Sequence, residues 1–162
     1  MPKKSKGDKI VKMKVICENK QARFEYFIED AFEAGISLDG GEVKSVRRGN
    51  VSLKDAYCSL YRGSIFVKNM HIAVYKEASA YNVKDDKRDR RLLLHKREIK
   101  KLSSKIEERG FTLVPIKLYF KDSLIKMEIA LCRGKHTYDK KRAVAEKDIQ
   151  RATEREIKNY IR

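Results

Sequence analysis

The chain has no tryptophan, two prolines, eight glycines and three cysteines among its 162 residues. Each shortage excludes something. So little proline and glycine, beside 41% hydrophobic residues, is unlike a collagen or a low-complexity linker and leaves material for a core. Cys17, Cys58 and Cys132 are far apart, odd in number and in no C-x-x-C pair, which speaks against a disulfide scaffold or a zinc site. Each reads as a small buried or half-buried thiol, and their usage implies a reducing cytoplasm. His71, His95 and His136 fall in no H-x-x-x-H or H-E-x-x-H spacing, so nothing supports a metal or other cofactor. There is no Walker loop, G-x-S-x-G or G-x-G-x-x-G. Acidic residues are interleaved with basic ones, and no compact acidic cluster offers a nuclease its magnesium. No apolar run approaches the roughly 20 residues of a membrane span, and the start, Met1 to Lys6, lacks the apolar stretch of a signal peptide.

Basic charge is what the chain has in surplus. Lys and Arg number 39 against 23 Asp and Glu, a formal net charge of +16. Such a surface can maintain solubility, bind anionic lipid or bind nucleic acid. No strongly amphipathic basic helix with Trp or Phe on its apolar side is present, which disfavours lipid. The charge is also unevenly placed. Residues 1–20 hold seven Lys against two acidic residues, 84–109 hold eleven basic against six acidic, and 135–162 hold nine against five. The remainder is close to neutral, so nucleic acid is favoured, with the cations on extensions of a nearly neutral body.

Periodicity gives the elements. Residues 1–14 read as a flexible basic arm. From Ala22 to Leu38, Phe24, Tyr26 and Ile28 alternate with Arg23, Glu25 and Phe27 as in a half-buried strand, with a bend or bulge allowed at Gly35. Asp39-Gly40-Gly41 ends it, and Glu42–Arg48 fits a short helix with Val43 and Val46 on one face. Ala56–Tyr61 and Ser64–Val67 read as a hairpin turning at Arg62-Gly63. Ile99, Leu102 and Ile106 recur at helical spacing from His95 to Arg109. The opposite side, Lys96, Arg97, Lys100 and Lys101, is solvated or meets phosphate. Val114, Ile116, Leu118 and Phe120 then alternate with Pro115, Lys117, Tyr119 and Lys121, turning at Lys121-Asp122-Ser123 into Ile125–Cys132. Pro115 suggests an edge or a strand beginning. The expectation is a mainly β fold: an OB-like antiparallel β-barrel over residues 15–134 with small flanking helices. Residues 135–162 are a basic tail whose apolar stripe is too thin to dock firmly. It is expected to be flexible alone and helical against a charged surface.

The ordered runs ENKQARFEYFIEDAFEAGISL (18–38), GGEVKSVRRGNVSLKDAY (40–57), NMHIAVY (69–75), RRLLLHKREIKKL (90–102), GFTLVPIKLYFKD (110–122) and GKHTYDKKR (134–142) together resemble the small protein B family, the SsrA-binding proteins. The resemblance covers about residues 16–142, and beyond that it is one of charge and length. It implies an OB-like barrel, no enzymatic activity and no cofactor. The implied partners are the tRNA-like domain of transfer-messenger RNA, the stalled ribosome, and elongation factor Tu through the alanine-charged RNA. Protein and RNA together would mimic a tRNA, and the nascent peptide would be tagged for proteolysis.

The resemblance also implies sites. Asn19, Lys20, Arg23 and Tyr26 match the first RNA-contacting stretch: two cations for phosphate, an amide for a base edge or 2′-OH, and an aromatic ring for stacking. Tyr26 reads equally as a core aromatic. Glu33 matches the acidic residue of F-E-A-G and would accept from base amino groups, although by itself it reads as a solvent-facing Glu. Glu42, Lys44 and Ser45 match E-V-K-S and are expected on the exposed side of the short helix. Leu93, the middle of three leucines, would pack on an unstacked base, with Arg91 and Lys96 on phosphate. Three consecutive leucines on a strand cannot all point inward. Tyr138, Asp139, Lys140 and Lys141 match the segment that reaches the decoding centre, with the downstream tail in the empty mRNA channel. The third basic position is Lys141, which lacks the bidentate fork of Arg. Phe24 stands where some relatives carry His, which favours packing.

Two other classes compete: an RNA-processing enzyme on an OB-like scaffold, which RNA turnover with divalent metal would reveal, and a general RNA chaperone, which bulk tRNA would outcompete.

Overall fold

Alternating apolar and charged residues recur through much of the chain, and the computed structural model folds them into nine strands and four helices among its described residues. These are 10–74, 85–108, 110–135 and 137–161, with the backbone alone for 137–139. Of the basic arm expected at 1–14, residues 1–9 lie outside that set, and Met13 and Lys14 already belong to the first strand.

The order is β1 (Met13–Glu18), α1 (Lys20–Glu25), β2 (Tyr26–Ile36), α2 (Gly40–Arg47), β3 (Val51–Ser52), β4 (Tyr57–Tyr61), β5 (Ser64–Lys68), β6 (His71–Ile72), β7 (Arg90–Leu93), α3 (Lys96–Glu107), β8 (Phe111–Lys121), β9 (Leu124–Gly134) and α4 (Thr137–Tyr160). Seven strands form one antiparallel sheet in the order β1-β8-β4-β5-β7-β2-β9, and β3 and β6 form a small second sheet. β8 also pairs with β9, so the sheet curls strongly on itself, as an OB-like fold requires. The β4–β5 turn is Arg62-Gly63, with φ of 48° and 73°. Positive φ at both central residues is the I′ geometry that matches strand twist.

The larger core cluster includes Val46, Leu53, Ile65, Val67, Leu92, Leu102, Leu118, Met127 and Ile129, and a smaller one lies under α1. α3 adds Leu102 fully and Ile99 and Ile106 partly, so its periodic stripe is core contact. Its first turn is closed by the His95 amide donating to the Glu98 carboxylate at 3.0 Å.

Four expectations change. Ala22–Glu25 are helical rather than extended, because Asn19 caps a short turn: its Oδ1 accepts from the Ala22 amide at 3.2 Å. α1 thereby covers Val114, Ile116, Ala130 and Cys132, so the middle of the long hairpin is buried on both faces rather than one. Pro115 is neither at an edge nor at a strand start. It sits inside β8 at a register shift, between the part paired with β1 (Lys117–Lys121) and the part paired with β4 (Leu113). A residue with no N–H fits where the partner strand changes, and its carbonyl accepts from Asn19 Nδ2 at 3.1 Å. The irregularity in β2 lies between Ile28 and Asp30, not at Gly35.

Residues 137–160 are one helix, and its apolar residues Ile149 and Ile157 remain 67% and 53% exposed. Only its start approaches the body, where Phe24 shares a groove of about 380 Å³ with Lys140, Lys141, Val144, Ala145 and Asp148. Phe24 lines that groove while remaining 38% exposed. Cys58 and Cys132 are buried and Cys17 is half-buried. Burial pushes the Cys58 thiol far up and that of Cys132 up to about 11, so both stay protonated and unreactive.

Candidate nucleic-acid interface

Strand register decides which expected residues share a surface. On the outer face of the sheet, Glu33 lies opposite Glu128 of β9, which lies opposite Lys117 of β8. One row along stand Gly35, Lys126 and Tyr119. Gly35 also pairs with Leu93 of β7. A Cβ on Gly35 would meet the Cβ of Leu93 at 3.2 Å, so the glycine lets that leucine lie against β2. Leu93 is 54% exposed, whereas Leu92 is buried and Leu94 only partly so. The leucine triplet resolves as strand geometry demands, with the middle one outward. Arg91, two residues earlier on the same face, is exposed opposite Phe66, and Lys96 is exposed at the start of α3.

Glu33 does not wave in solvent. It accepts from the Tyr119 hydroxyl and from Lys121 Nζ at 3.0 and 3.3 Å. The Tyr119 hydrogen bond first, then Lys121 and Lys126, hold its carboxyl below the ordinary value against the opposing effect of burial. Burial, and next the Glu33 carboxylate, push the Tyr119 hydroxyl up, so it stays a donor. The result is an ionised acceptor fixed by flanking cations, beside an exposed leucine and an arginine. Such a surface can accept hydrogen bonds from base amino groups, pack an unstacked base and hold phosphate. Periodicity put Lys117, Tyr119 and Lys121 on the polar side of β8, but nothing in sequence tied them to Glu33, 86 residues away from Tyr119.

The first stretch is divided. Lys20 and Arg23 are exposed on α1, and Arg23 stands 3.6 Å from Glu18. Tyr26 is half-buried against the cluster under α1, so both of its readings have a basis. Asn19 is buried, at 8% exposure, with its oxygen capping α1 and its nitrogen on the Pro115 carbonyl. Both polar ends of its side chain are used within the fold.

The E-V-K-S expectation is corrected. Only Lys44 is exposed; Ser45 is 1% exposed and donates to the Ala73 carbonyl at 2.7 Å. Glu42 points inward and takes both Arg88 and Arg90, the latter 1% exposed. Glu42, Ser45 and Val46 follow i, i+3, i+4 spacing, so they share the face that docks. Arg90 gave no signal in sequence, because it sits in a run of charges that reads as loop. It also donates to the carbonyls of Met70 at 2.7 Å and Asp86 at 3.1 Å, tying the 85–89 segment down. On α3, Lys101 is taken up by Asp30 at 2.8 Å and lies over Phe32, while Lys96, Arg97 and Lys100 are exposed.

In the last segment, Lys140 is half-buried and Lys141 exposed at the start of α4; the side chains of Tyr138 and Asp139, and His136, lie outside the described residues. Among the described residues no group of three or more His, Cys, Asp or Glu is placed to hold a metal ion. No described helix is long and apolar enough to cross a membrane.

Comparison with known proteins identifies relatives of this chain. A family model described as SmpB protein matches residues 16–159. The chain is 45% identical over its full length to the full length of an SsrA-binding protein from Caldicellulosiruptor saccharolyticus. It is 48% identical to one from Clostridium beijerinckii, over 88% of this chain and 91% of that one. A solved structure described as tmRNA-SmpB on a journey to the center of the bacterial ribosome contains a similar chain. The TM-score is 0.62 and the identity 43%, covering 78% of this chain and 92% of that one.

Proposed function

Because the chain belongs to the SmpB family, we propose that it is an RNA-binding adaptor of trans-translation, recognising the tRNA-like domain of transfer-messenger RNA. The observation that carries the reading is the outer sheet face, on which Glu33 is held by Tyr119 and Lys121 and Leu93 and Arg91 lie in successive rows beyond it. A carboxylate held ionised by Tyr119 and Lys121 adds selectivity for base donors, while Arg91, Lys96, Lys20 and Arg23 supply phosphate contacts. Relatives named SsrA-binding proteins, and a neighbour solved as a tmRNA-SmpB assembly, support the partner. The adaptor carries out no reaction; its work is to complete a tRNA mimic.

In this reading the alanine-charged RNA brings elongation factor Tu, and the body of the protein occupies the place of an anticodon arm. Tyr138, Asp139, Lys140 and Lys141 meet the decoding centre. The helix beyond them, largely exposed here, lies in the mRNA channel against its phosphates. The test is a reconstituted stalled-ribosome reaction scored for tag addition. Tagging is expected to require this chain and to be lost when it is cut after Gly134, with affinity for the RNA nearly retained. Normal tagging by the shortened chain would overturn the tail reading. Glu33→Arg is expected to weaken binding to the tRNA-like domain on a gel shift at fixed salt, and unchanged affinity would remove Glu33 from the interface.

A further inference from the structure

A groove of about 410 Å³ opens between α1 and the start of β4, outside the Glu33 face. Its walls include Gln21, Glu25, Tyr26, Asp55, Tyr57 and Thr112. Three features distinguish it from an incidental surface dip. It has an aromatic ring on each flanking element, Tyr26 half-buried where α1 ends and Tyr57 48% exposed on β4. It has two carboxylates, Glu25 and Asp55, and no Lys or Arg in its lining, although the chain carries a net charge of +16. Glu25 is positioned, since Gln21 Nε2 donates to its Oε1 at 2.9 Å. The backbone that carries Asp55 is held too, with φ of +59° and the Asp55 main-chain carbonyl accepting from Asn69 Nδ2 at 3.1 Å.

A second groove of about 220 Å³ adjoins it, sharing Asn19 and Gln21 and lined by Lys20 and Lys54 together with Glu18, which pairs with Arg23 at 3.6 Å. The two side by side have the chemistry of one nucleotide. A sugar-phosphate backbone suits the lysine-lined part. A base suits the part with stacking rings and acceptors but no cation. Guanine offers adjacent N1–H and N2–H donors that a carboxylate accepts as a pair, whereas adenine and cytosine offer a single amino group on that edge.

We propose that the Tyr26–Tyr57 groove receives an unstacked guanine of the bound RNA strand. The ring lies on the tyrosines, its Watson–Crick edge meets Glu25 or Asp55, and its backbone runs past Lys20 and Lys54. This rests on the RNA-adaptor reading above and deepens it, extending the stretch that carries Lys20 and Tyr26 to a base-selective pocket completed by Tyr57, Glu25 and Asp55.

The experiment measures binding of the tRNA-like domain to the full chain by fluorescence anisotropy at fixed salt. Wild type is compared with Tyr57→Thr, Tyr57→Phe, Glu25→Gln and Asp55→Asn. Tyr57 is exposed and Thr is a good strand residue, so folding is expected to survive and is checked by circular dichroism. Tyr57→Thr is expected to lose about tenfold in affinity, the effect of one lost base–aromatic stack, and Tyr57→Phe to lose little. Transcripts with single unpaired guanines replaced by inosine, which lacks the N2 amino group, supply the second axis. One such transcript is expected to bind wild type more weakly, with that loss absent in Glu25→Gln or Asp55→Asn. If wild type binds the RNA but Tyr57→Thr and both amide variants match it within about twofold, the pocket assignment fails while the adaptor reading stands. If inosine is discriminated equally by every variant, the guanine assignment fails. If guanosine monophosphate fills the groove in a Tyr57-dependent way without displacing RNA, the ligand is a free nucleotide and the proposal is overturned. If wild type does not bind the tRNA-like domain at all, the adaptor reading itself fails.

Discussion

Glu33 illustrates how a side chain changes meaning once its neighbours are known. In isolation it is one acidic residue among 23, and in place it is held by Tyr119 and Lys121. Its carboxyl is depressed when folded, so its contribution to stability is complete above the ordinary carboxylate range and is lost as pH falls through the folded value. Thermal midpoints of wild type and Glu33→Gln should therefore differ near neutrality and converge only as pH falls below the ordinary carboxylate range. A gap independent of pH would mean that the ion pairing is not what matters. Asn19 is a second case, since both polar ends of its side chain are used within the fold. Asn19→Ala removes a cap and should lower unfolding free energy by about 1 kcal/mol in urea titrations. Any loss of RNA affinity should then come with loosening of α1. An affinity loss in a variant of unchanged stability would restore Asn19 as a direct contact.

At the scale of elements, the informative joint is between α2 and the strand that begins at Arg90. Glu42 accepts from Arg88 and Arg90, and Arg90 is fully buried. Removing the carboxylate leaves a buried cation without its counter-charge, which generally costs about 3–5 kcal/mol. Glu42→Ala should therefore lower the denaturation midpoint strongly, a result no exposed RNA contact would produce. A variant of wild-type stability would contradict the inward placement. The joint between α1 and the hairpin of β8 and β9 works differently, through apolar cover. α1 has only six residues, too few to persist alone, so packing on Val114, Ile116 and Ala130 must hold it. Its cations Lys20 and Arg23 consequently sit on a fixed surface rather than a mobile arm.

The whole molecule separates a body from an appendage. Among the described residues, α4 meets the body near its start, beside Phe24, and residues 144–161 are exposed. Cutting the chain after Gly134 should leave the thermal midpoint almost unchanged. A large drop would show that the helix contributes to the fold. The body also neutralises many of its own charges: Asp30 takes Lys101, Glu128 takes Lys117 and Glu29 takes Arg133. RNA binding should accordingly show a salt slope reflecting the few exposed cations near the outer face, about 0.7–0.9 per neutralised phosphate. A slope matching the full surplus of +16 would indicate unspecific binding through the extensions.

The sequence by itself determined the element types with the strongest periods. The β4–β5 turn at Arg62-Gly63, the helix carrying Ile99, Leu102 and Ile106, and the two long strands after Gly110 follow from local sterics and alternation. It also determined that one of Leu92, Leu93 and Leu94 must point outward, because strand side chains alternate. Only the tertiary structure decided the rest. Whether Ala22–Glu25 formed strand or helix depended on a cap and on an apolar surface supplied by residues about 90 positions later. Whether Glu42 faced solvent depended on Arg90 arriving from another element, and whether Glu33 was fixed depended on strands brought together by register. Local pattern records what a residue prefers with its near neighbours in the chain. Burial and ion pairing are set by partners distant in sequence, and a charge surplus of +16 acquires its meaning from which of those charges the fold leaves exposed.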